Sequence, residues 1–337
     1  MLESIYFKNF KALRDATLPL SPFTLIVGPN GSGKSTVLDA LREFGSIAVQ
    51  ATNRNISPVR ISLPLMSIHG DKNESATRCT FRFASEPEGH AEVTIRPEGN
   101  QWNYELLKCD SQRFAEVANI RVFEFDPKKM VGPDALQPGR EMQSDGSGLT
   151  ATLDRLRDED PERFDQLNEQ LTQWLPEFDR VLFETPANGA RSLALRTTHR
   201  HHRIPATVLS QGTLIALALL TLAYMPTPPS IIGLEEPDRG IHPRLLRQLK
   251  DALYRLSYPR ESDEGREPIQ IIATTHSPYF VDQFKDHPEE IVVANKEGLD
   301  VSFECLSDKP HLREIIQDSS LGEVWYSGIL GGVPTTS

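Results

Sequence analysis

A phosphate-binding pattern lies near the start of the sequence, between an apolar run and a helical segment. Residues 28–36 read GPNGSGKST and follow the apolar run 23–27. In such a loop, glycines let backbone N–H groups surround phosphates, the lysine reaches the β and γ oxygens, and the serine hydroxyl holds Mg²⁺. A helix that opens at Thr36 adds an N-terminus that favours negative charge. The pattern predicts binding of a nucleoside triphosphate with Mg²⁺.

The residues of this loop predicted to bind ATP are Asn30, Gly31, Ser32, Gly33, Lys34, Ser35 and Thr36. Lys34 supplies a point charge for the phosphates, and Ser35 is also predicted to be a metal ligand. A match to this short pattern can arise by chance. The preceding strand and the following helix are the context that supports it.

Three further segments combine polar residues with apolar runs. LSQGT at 209–213 opens the apolar stretch 214–225; IIGLEEPD at 231–238 and IQIIATTH at 269–276 read as buried strands that end in paired carboxylates and in a histidine. Continuous apolar runs of this length are typical of strands buried on both faces of a parallel sheet. The carboxylates and the histidine are therefore expected at strand ends.

The four segments, in this order, resemble the ABC superfamily of ATPases. The resemblance implies that Glu235 serves Mg²⁺, that Glu236 is the general base for hydrolysis and that His276 contacts the γ-phosphate. It also implies that the signature residues Ser210, Gln211 and Gly212 close on ATP held by a second copy, and hence an ATP-dependent homodimer. Glu235 departs from the family, which normally has Asp there.

Within that superfamily, the sequence resembles the OLD, RecF and SMC group, and OLD-like predicted ATPases of bacterial defence and repair more closely than RecF. The segments that carry this resemblance are 5–12, 25–31, 144–149, 236–243, 275–278 and 321–328. Few residues follow His276, so the Toprim nuclease domain at the end of many OLD proteins is not expected in this chain. A nuclease is expected to be a separate polypeptide.

Composition and patterning predict an α/β fold, which by resemblance is an ABC-ATPase head: a P-loop sheet, an antiparallel β subdomain and a helical signature lobe. Antiparallel strands are predicted at 78–83, 91–96 and 102–107. Helices are predicted at 35–44, 149–157, 161–174 and 243–256, with a loop at 45–77 and an ordered loop or lid at 127–147. The chain is divided into an ATP-binding lobe, 1–205, and a signature, carboxylate and His lobe, 206–337.

Bulk properties restrict the class of protein. The three cysteines form no CxxC pair, and no N-terminal targeting pattern is visible. The longest apolar stretch, 214–225, is too short to span a bilayer, so a cytoplasmic protein without a membrane partner is expected. The net charge of −11 argues against a uniformly basic surface for nucleic acid, without excluding local patches.

One such patch, 185–209, carries Arg191, Arg196, Arg200 and Arg203 without any acidic residue. It is interpreted either as a solvated face of antiparallel strands, which is favoured, or as a DNA contact.

Asn9, Phe10 and Lys11 either line the adenine side or belong to the core, and Gln50 is a weak candidate for the Q-loop glutamine. Ser210 is alternatively an ordinary helix cap.

Three functions follow from these alternatives. The leading hypothesis is an ATPase whose nucleotide-gated dimer regulates a separately encoded effector in defence or DNA repair. The second is an ATP-gated scaffold that does not hydrolyse, to which the Glu235 departure gives weight. The third is a RecF-like DNA clamp, which requires the basic patch to face a dimer groove.

Overall fold

The computed structural model describes residues 1–52, 76–84, 90–98, 101–107, 111–135, 141–185, 190–226, 228–259, 267–316 and 319–331. Contacts divide the chain into two compact units. Unit 1 consists of Met1–Val122, Pro229–Glu235 and Gly265–Ser337. Unit 2 consists of Phe123–Pro228 and Glu236–Glu264.

In chain order, the strands are β1 (Leu2–Phe10), β2 (Leu13–Pro19), β3 (Phe23–Val27), β4 (Thr77–Phe83), β5 (His90–Glu98), β6 (Gln101–Leu107), β7 (Ile120–Phe123), β8 (Asp134–Ala135), β9 (Phe178–Glu184), β10 (Ala190–Thr197), β11 (Arg203–Pro205), β12 (Ile231–Glu235), β13 (Gln270–Thr275), β14 (Ile291–Glu297) and β15 (Asp300–Cys305). The α-helices are α1 (Lys34–Thr52), α2 (Ser111–Ala118), α3 (Pro127–Met130), α4 (Leu149–Glu159), α5 (Pro161–Trp174), α6 (Gln211–Tyr224), α7 (Leu246–Ser257), α8 (Pro278–Val281), α9 (Leu312–Ile315) and α10 (Leu321–Tyr326).

An antiparallel sheet in unit 1 has the strand order β2-β1-β4-β5-β6. Alternating residues of β1, such as Ile5 and Phe7, are fully buried, whereas their neighbours Ser4 and Tyr6 are partly exposed. This period of two buries one face of the sheet and leaves the other in water. The three predicted strands of the β subdomain are confirmed as β4, β5 and β6.

A second sheet of unit 1 has the order β15-β14-β3-β13-β12-β7. Strands β12, β13, β3 and β14 are parallel, and β15 pairs antiparallel with β14. Every residue of β3 and β13 is buried, as expected for strands in the middle of a parallel sheet. The parallel strands therefore end at one common edge.

Helix α1 is longer than the sequence predicts, because it continues through Thr52 instead of ending at Phe44. The predicted loop at 45–77 is wrong for residues 45–52. Ile47 and Ala48 extend the buried face of the helix beyond Phe44, and Gly45 packs against Ile120. Residues 53–75 lie outside the described part of the chain.

Unit 2 joins helices to a small sheet, in which β10 pairs with β8, β9 and β11. The helix predicted at 161–174 has those bounds, and the one predicted at 149–157 reaches Glu159. The helix predicted from Pro243 begins as a 3₁₀ turn, Pro243–Leu245, before α7. Within the predicted loop 127–147, the structure has α3 and β8, and residues 136–140 are not described.

The signature stretch forms α6, in which Thr213 to Ala223 are buried almost without interruption. A helix that is apolar all round belongs in a protein core. In the described part of the chain, no helix has both the length and the hydrophobicity needed to span a bilayer.

The division at 205/206 stays a prediction. It follows chain order, whereas the contact-based units are discontinuous, because β12, from the later half of the chain, belongs to the sheet of unit 1.

Candidate nucleotide site

The common edge of the parallel sheet brings three sequence motifs together. Val27, the last residue of β3, is opposite Thr275, the last residue of β13. Thr274 is in turn opposite Glu235, the last residue of β12. The phosphate loop, His276 and Glu235 therefore leave the sheet at the same edge, where open α/β sheets bind their ligands.

The phosphate loop begins with a glycine that no other residue can replace without displacing its neighbours. A Cβ atom at Gly28 would lie 2.6 Å from the carbonyl oxygen of Ala294 in β14. The loop then turns through a hydrogen bond from Ser32 N to Pro29 O, and α1 starts with Val37 N donating to Gly33 O. Close contact with β14 thus fixes where the loop leaves the sheet.

Lys34 is 5% exposed, and its ammonium group lies within the loop. Its Nζ donates hydrogen bonds of 2.8 Å to Gly28 O and to Pro29 O. These bonds hold the charged group near the backbone amides that would surround a phosphate, which is the position the loop pattern predicts.

Ser35 and Glu235, the two predicted metal residues, are in direct contact. Ser35 Oγ donates a hydrogen bond of 2.6 Å to Glu235 Oε1. A hydroxyl and a carboxylate oxygen are ligands that suit Mg²⁺, which prefers oxygen and retains several waters. Although Glu235 is one methylene longer than the usual Asp, its carboxylate still reaches the hydroxyl at the start of α1.

Glu236 has an unusual backbone conformation. Its φ is +44°, in the left-handed region that non-glycine residues seldom adopt. Its carbonyl oxygen accepts a hydrogen bond from Arg239 N, which closes a turn directly after β12. Conformations of this kind cost about 1–3 kcal/mol and cluster at functional sites.

His276 is exposed and directly follows β13. The turn that carries it is held by Ser277 N, which donates to Thr275 Oγ1 at 3.0 Å. Ser277 then caps α8, because its Oγ accepts from Phe280 N. These bonds fix the turn that carries His276 at the sheet edge.

The signature residues lie in unit 2, at the exposed start of α6. Ser210 Oγ accepts a hydrogen bond of 3.1 Å from Thr213 N, so the helix-cap interpretation is correct for its side chain. Ser210 and Gln211 are exposed, and Val208 just before them is 69% exposed. A Cβ atom at Gly212 would lie 2.3 Å from Gly240 O, so this position also requires glycine.

The adenine candidates divide between core and surface. Phe10 is fully buried, and its ring centroid lies 5.5 Å from that of Phe44, so this ring belongs to the core. Asn9 is 4% exposed, whereas Lys11 is partly exposed and its Nζ is bonded to Asp39 at 2.6 Å. Gln50 lies in α1, and its side chain is outside the described part.

The basic segment is less cationic in the fold than in the sequence. Arg196 makes two hydrogen bonds to Asp179, and Arg191 makes one to Asp154. The bonded Arg196 guanidinium lowers the pKa of Asp179. Arg203 Nη1 also lies 4.0 Å from Glu184 Oε1. Three of the four arginines are thus paired with carboxylates outside the segment, which supports a solvated face.

Comparisons with known proteins match the parts of the chain that carry these motifs. The family model "AAA domain, putative AbiEii toxin, Type IV TA system" matches residues 133–282, and the model "AAA ATPase domain" matches residues 1–122. The OLD nuclease of Thermus scotoductus is 24% identical over an alignment of 376 residues, which covers 96% of this chain and 68% of that protein. The DNA replication and repair protein RecF of Salmonella typhimurium is 26% identical over 137 residues, 40% of this chain and 33% of RecF. These matches support a P-loop ATPase of the OLD, RecF and SMC group.

Solved structures show the fold of this P-loop ATPase. An SMC head bound to the C-winged helix domain of ScpA has a TM-score of 0.60 at 17% identity, covering 90% of this chain and 97% of that chain. An Smc head with a coiled coil and joint derived from Pyrococcus yayanosii has a TM-score of 0.57 at 12% identity, with 90% and 96% covered. The predicted ABC-type head is confirmed as an SMC head-like α/β fold.

One part of the site of this ATPase was missed by sequence reasoning. The hairpin of β14 and β15 lies beside the phosphate loop, where Ala294 meets Gly28 and Val301 meets Gly33. This hairpin was not predicted to lie at the site, because its residues match no phosphate-binding motif. Its place next to β3 follows from sheet order, which the sequence does not show.

Proposed function

We propose that the chain binds ATP with Mg²⁺ and hydrolyses it. The observation that carries this proposal is the 2.6 Å contact between Ser35 and Glu235, which lie 200 positions apart in the sequence. Each of them belongs to a different motif, and each is predicted to bind Mg²⁺. Lys34, held inside the same loop, is the cation for the β and γ oxygens. Backbone N–H groups of Asn30 to Thr36 surround the phosphates.

Ser35 and Glu235 are the residues that would hold Mg²⁺, which when bound would neutralise charge on the phosphate oxygens. Glu235 contacts Ser35 directly, so its carboxylate could reach the ion either directly or through a water molecule.

Glu236 is proposed as the general base that orients the attacking water, and His276 as a donor to the γ-phosphate. The left-handed backbone of Glu236 supports a functional role, because strain of this kind is retained where geometry matters. The position of His276 directly after β13, exposed to solvent, supports contact with a ligand at this edge.

The chain is further proposed to form a homodimer around ATP. Ser210, Gln211 and Gly212 stand at the start of α6, where the first backbone N–H groups of the helix can meet a phosphate carried by another copy. The exposure of Val208, Ser210 and Gln211 supports contact with a second molecule.

A mixing experiment tests this arrangement. Lys34→Ala disables the loop of one chain and Ser210→Arg the signature of the other, so mixed dimers should regain at most one composite site. We expect partial ATP turnover in the mixture and none in either variant alone. Full turnover by Ser210→Arg alone would contradict the trans arrangement.

The biological role is proposed from similarity: regulation of a separately encoded effector in defence or DNA repair. The OLD nuclease and RecF are the relatives that support it. The chain spans 68% of the OLD nuclease and 33% of RecF, so the activities of those whole proteins stay proposals for this chain.

Nucleotide binding and turnover test the proposed activity. ATP affinity and steady-state hydrolysis are measured for the parent, for Lys34→Ala and for Lys250→Met, with and without duplex DNA. Lys250 lies on α7 against the Tyr254 ring and serves as the matched lysine control. We expect Lys34→Ala alone to lose binding and turnover. Equal ATP affinity in Lys34→Ala and the parent would refute the assignment.

A further inference from the structure

The hairpin of β14 and β15 runs along the phosphate loop and meets it at three glycines. Cβ atoms built on these glycines would lie 2.6 Å from Ala294 O at Gly28, 4.0 Å from Lys296 Nζ at Gly31, and 3.1 Å from Val301 Cγ1 at Gly33. The first and third contacts are backbone or apolar. The second places a charged group beside the outer turn of the loop.

We propose that Lys296 is a second phosphate-binding cation of this site, which strengthens binding of the nucleoside triphosphate over the diphosphate. This inference rests on the proposed nucleotide binding by the loop. Lys296 belongs to no motif that predicts nucleotide contact, and its role follows only from its place in the sheet.

The charges on the hairpin leave Lys296 available for such a role. Asp300 accepts a hydrogen bond of 2.9 Å from Arg14, and Glu304 one of 2.6 Å from Lys309. Glu297 follows Lys296 along β14, so its side chain leaves the opposite face of the strand. Across the described residues, no carboxylate lies within salt-bridge distance of Lys296 Nζ.

Lys296 and Lys34 differ in their surroundings. Lys34 is buried and bonded to two loop carbonyls, whereas Lys296 is exposed on the rim of the loop. The flexible four-carbon stem of an exposed lysine lets its ammonium group move by several ångströms towards a ligand. Because the attraction grows with the charge of the ligand, the effect should be larger for ATP than for ADP.

Binding of ATP and of ADP to the parent, Lys296→Met, Lys296→Arg, Lys34→Ala and the control Lys250→Met provides the test. Methionine keeps the length of the side chain and removes its charge. We expect Lys296→Met to raise the Kd for ATP by about threefold to tenfold, and that for ADP by less. Lys296→Arg should stay close to the parent. The difference in the Kd for ATP between Lys296→Met and the parent should shrink at high salt, because exposed charges are screened.

The outcomes separate the two proposals. If the parent fails to bind ATP, or if Lys34→Ala binds it as well as the parent, nucleotide binding by the loop is refuted. If Lys34→Ala loses ATP binding while Lys296→Met binds ATP as well as Lys250→Met does, only the role of Lys296 is refuted. Equal losses of ATP and ADP in Lys296→Met would also overturn it. If Lys296→Met unfolds at the same temperature as the parent, its fold is intact.

Discussion

Gly212 lies directly against the carbonyl oxygen of Gly240, so that the start of the signature helix touches the turn that follows the two carboxylates. A Cβ atom at position 212 would be 2.3 Å from that oxygen, and backbone would have to move to accept it. The signature glycine therefore has a packing role inside unit 2, in addition to the phosphate contact proposed for it.

Gly212→Ala should lower the free energy of unfolding by about 1–3 kcal/mol, because one added methyl group overpacks a backbone contact. Gly132→Ala is the matched control, since a Cβ atom there would meet nothing within 4 Å. Urea unfolding of the two variants and the parent measures the difference. Equal midpoints for both variants would contradict the close contact.

Glu235→Gln should raise the Mg²⁺ concentration needed for ATP turnover by about tenfold or more, since an amide is a poorer magnesium ligand than a carboxylate. A titration of Mg²⁺ at saturating ATP measures the shift. Glu3→Gln, an exposed glutamate of β1, should leave the requirement unchanged. A parent-like titration for Glu235→Gln would remove Glu235 from the metal site.

Glu236→Gln should keep ATP binding and lower turnover by about a hundredfold or more, because the amide preserves shape but cannot accept a proton. The variant should also accumulate as an ATP-bound dimer, visible as an earlier peak in size-exclusion chromatography with ATP. Normal turnover would show that another residue acts as the base.

Asp145 links stability to pH. Burial opposes its ionisation, but hydrogen bonds from Ser147 and Lys129 outweigh that effect and lower the pKa of Asp145 to about 2. A carboxylate with a depressed pKa stabilises the fold above its unfolded pKa of 3.8 and loses this contribution as pH falls towards 2.

Asp145→Asn should therefore cost about 1 kcal/mol at pH 7, a figure reduced for the partial exposure of the carboxylate. The gap from the parent should narrow between about pH 4 and pH 2. Urea unfolding at pH 7 and pH 3 measures it, with the exposed Asp251→Asn as control. A gap independent of pH would rule out ionisation of Asp145 as its cause.

Arg196 is expected to contribute to the stability of the fold more than to DNA binding. Its guanidinium makes two bonds to Asp179, at 2.8 and 3.1 Å. Arg196→Ala should lower the free energy of unfolding, whereas Arg200→Ala, at an exposed turn, should change it little. Chemical denaturation measures both.

Duplex binding is measured in parallel with the same variants. We expect weak affinity in the parent and in both variants, because paired arginines release few phosphate counterions. Salt-sensitive, submicromolar binding by the parent that either variant loses would support the DNA-clamp function instead.

The sequence was informative wherever a pattern is local. The apolar runs of β3, β12 and β13 predict buried strands, and their polar ends predict the residues at the sheet edge. The contact of Ser35 with Glu235 agrees with two motifs that are predicted to share Mg²⁺.

What the sequence did not reveal depends on contacts between distant residues. The predicted helix ends at Phe44, whereas the structure continues it past Gly45, which packs against the distant Ile120. Arg191 and Arg196 read as free cations because Asp154 and Asp179 lie outside their segment. The neighbour of Gly212 is a carbonyl oxygen, and no side-chain pattern reports it.

The backbone of Glu236 sets folding and chemistry against each other at a single residue. Glycine would accept a φ of +44° without steric cost, so the residue type that best suits the chain at this point has no carboxylate. Selecting variants for thermal resistance alone would therefore favour loss of the very group proposed to drive turnover. Any effort to stabilise this protein should hold position 236 fixed and seek its gains elsewhere.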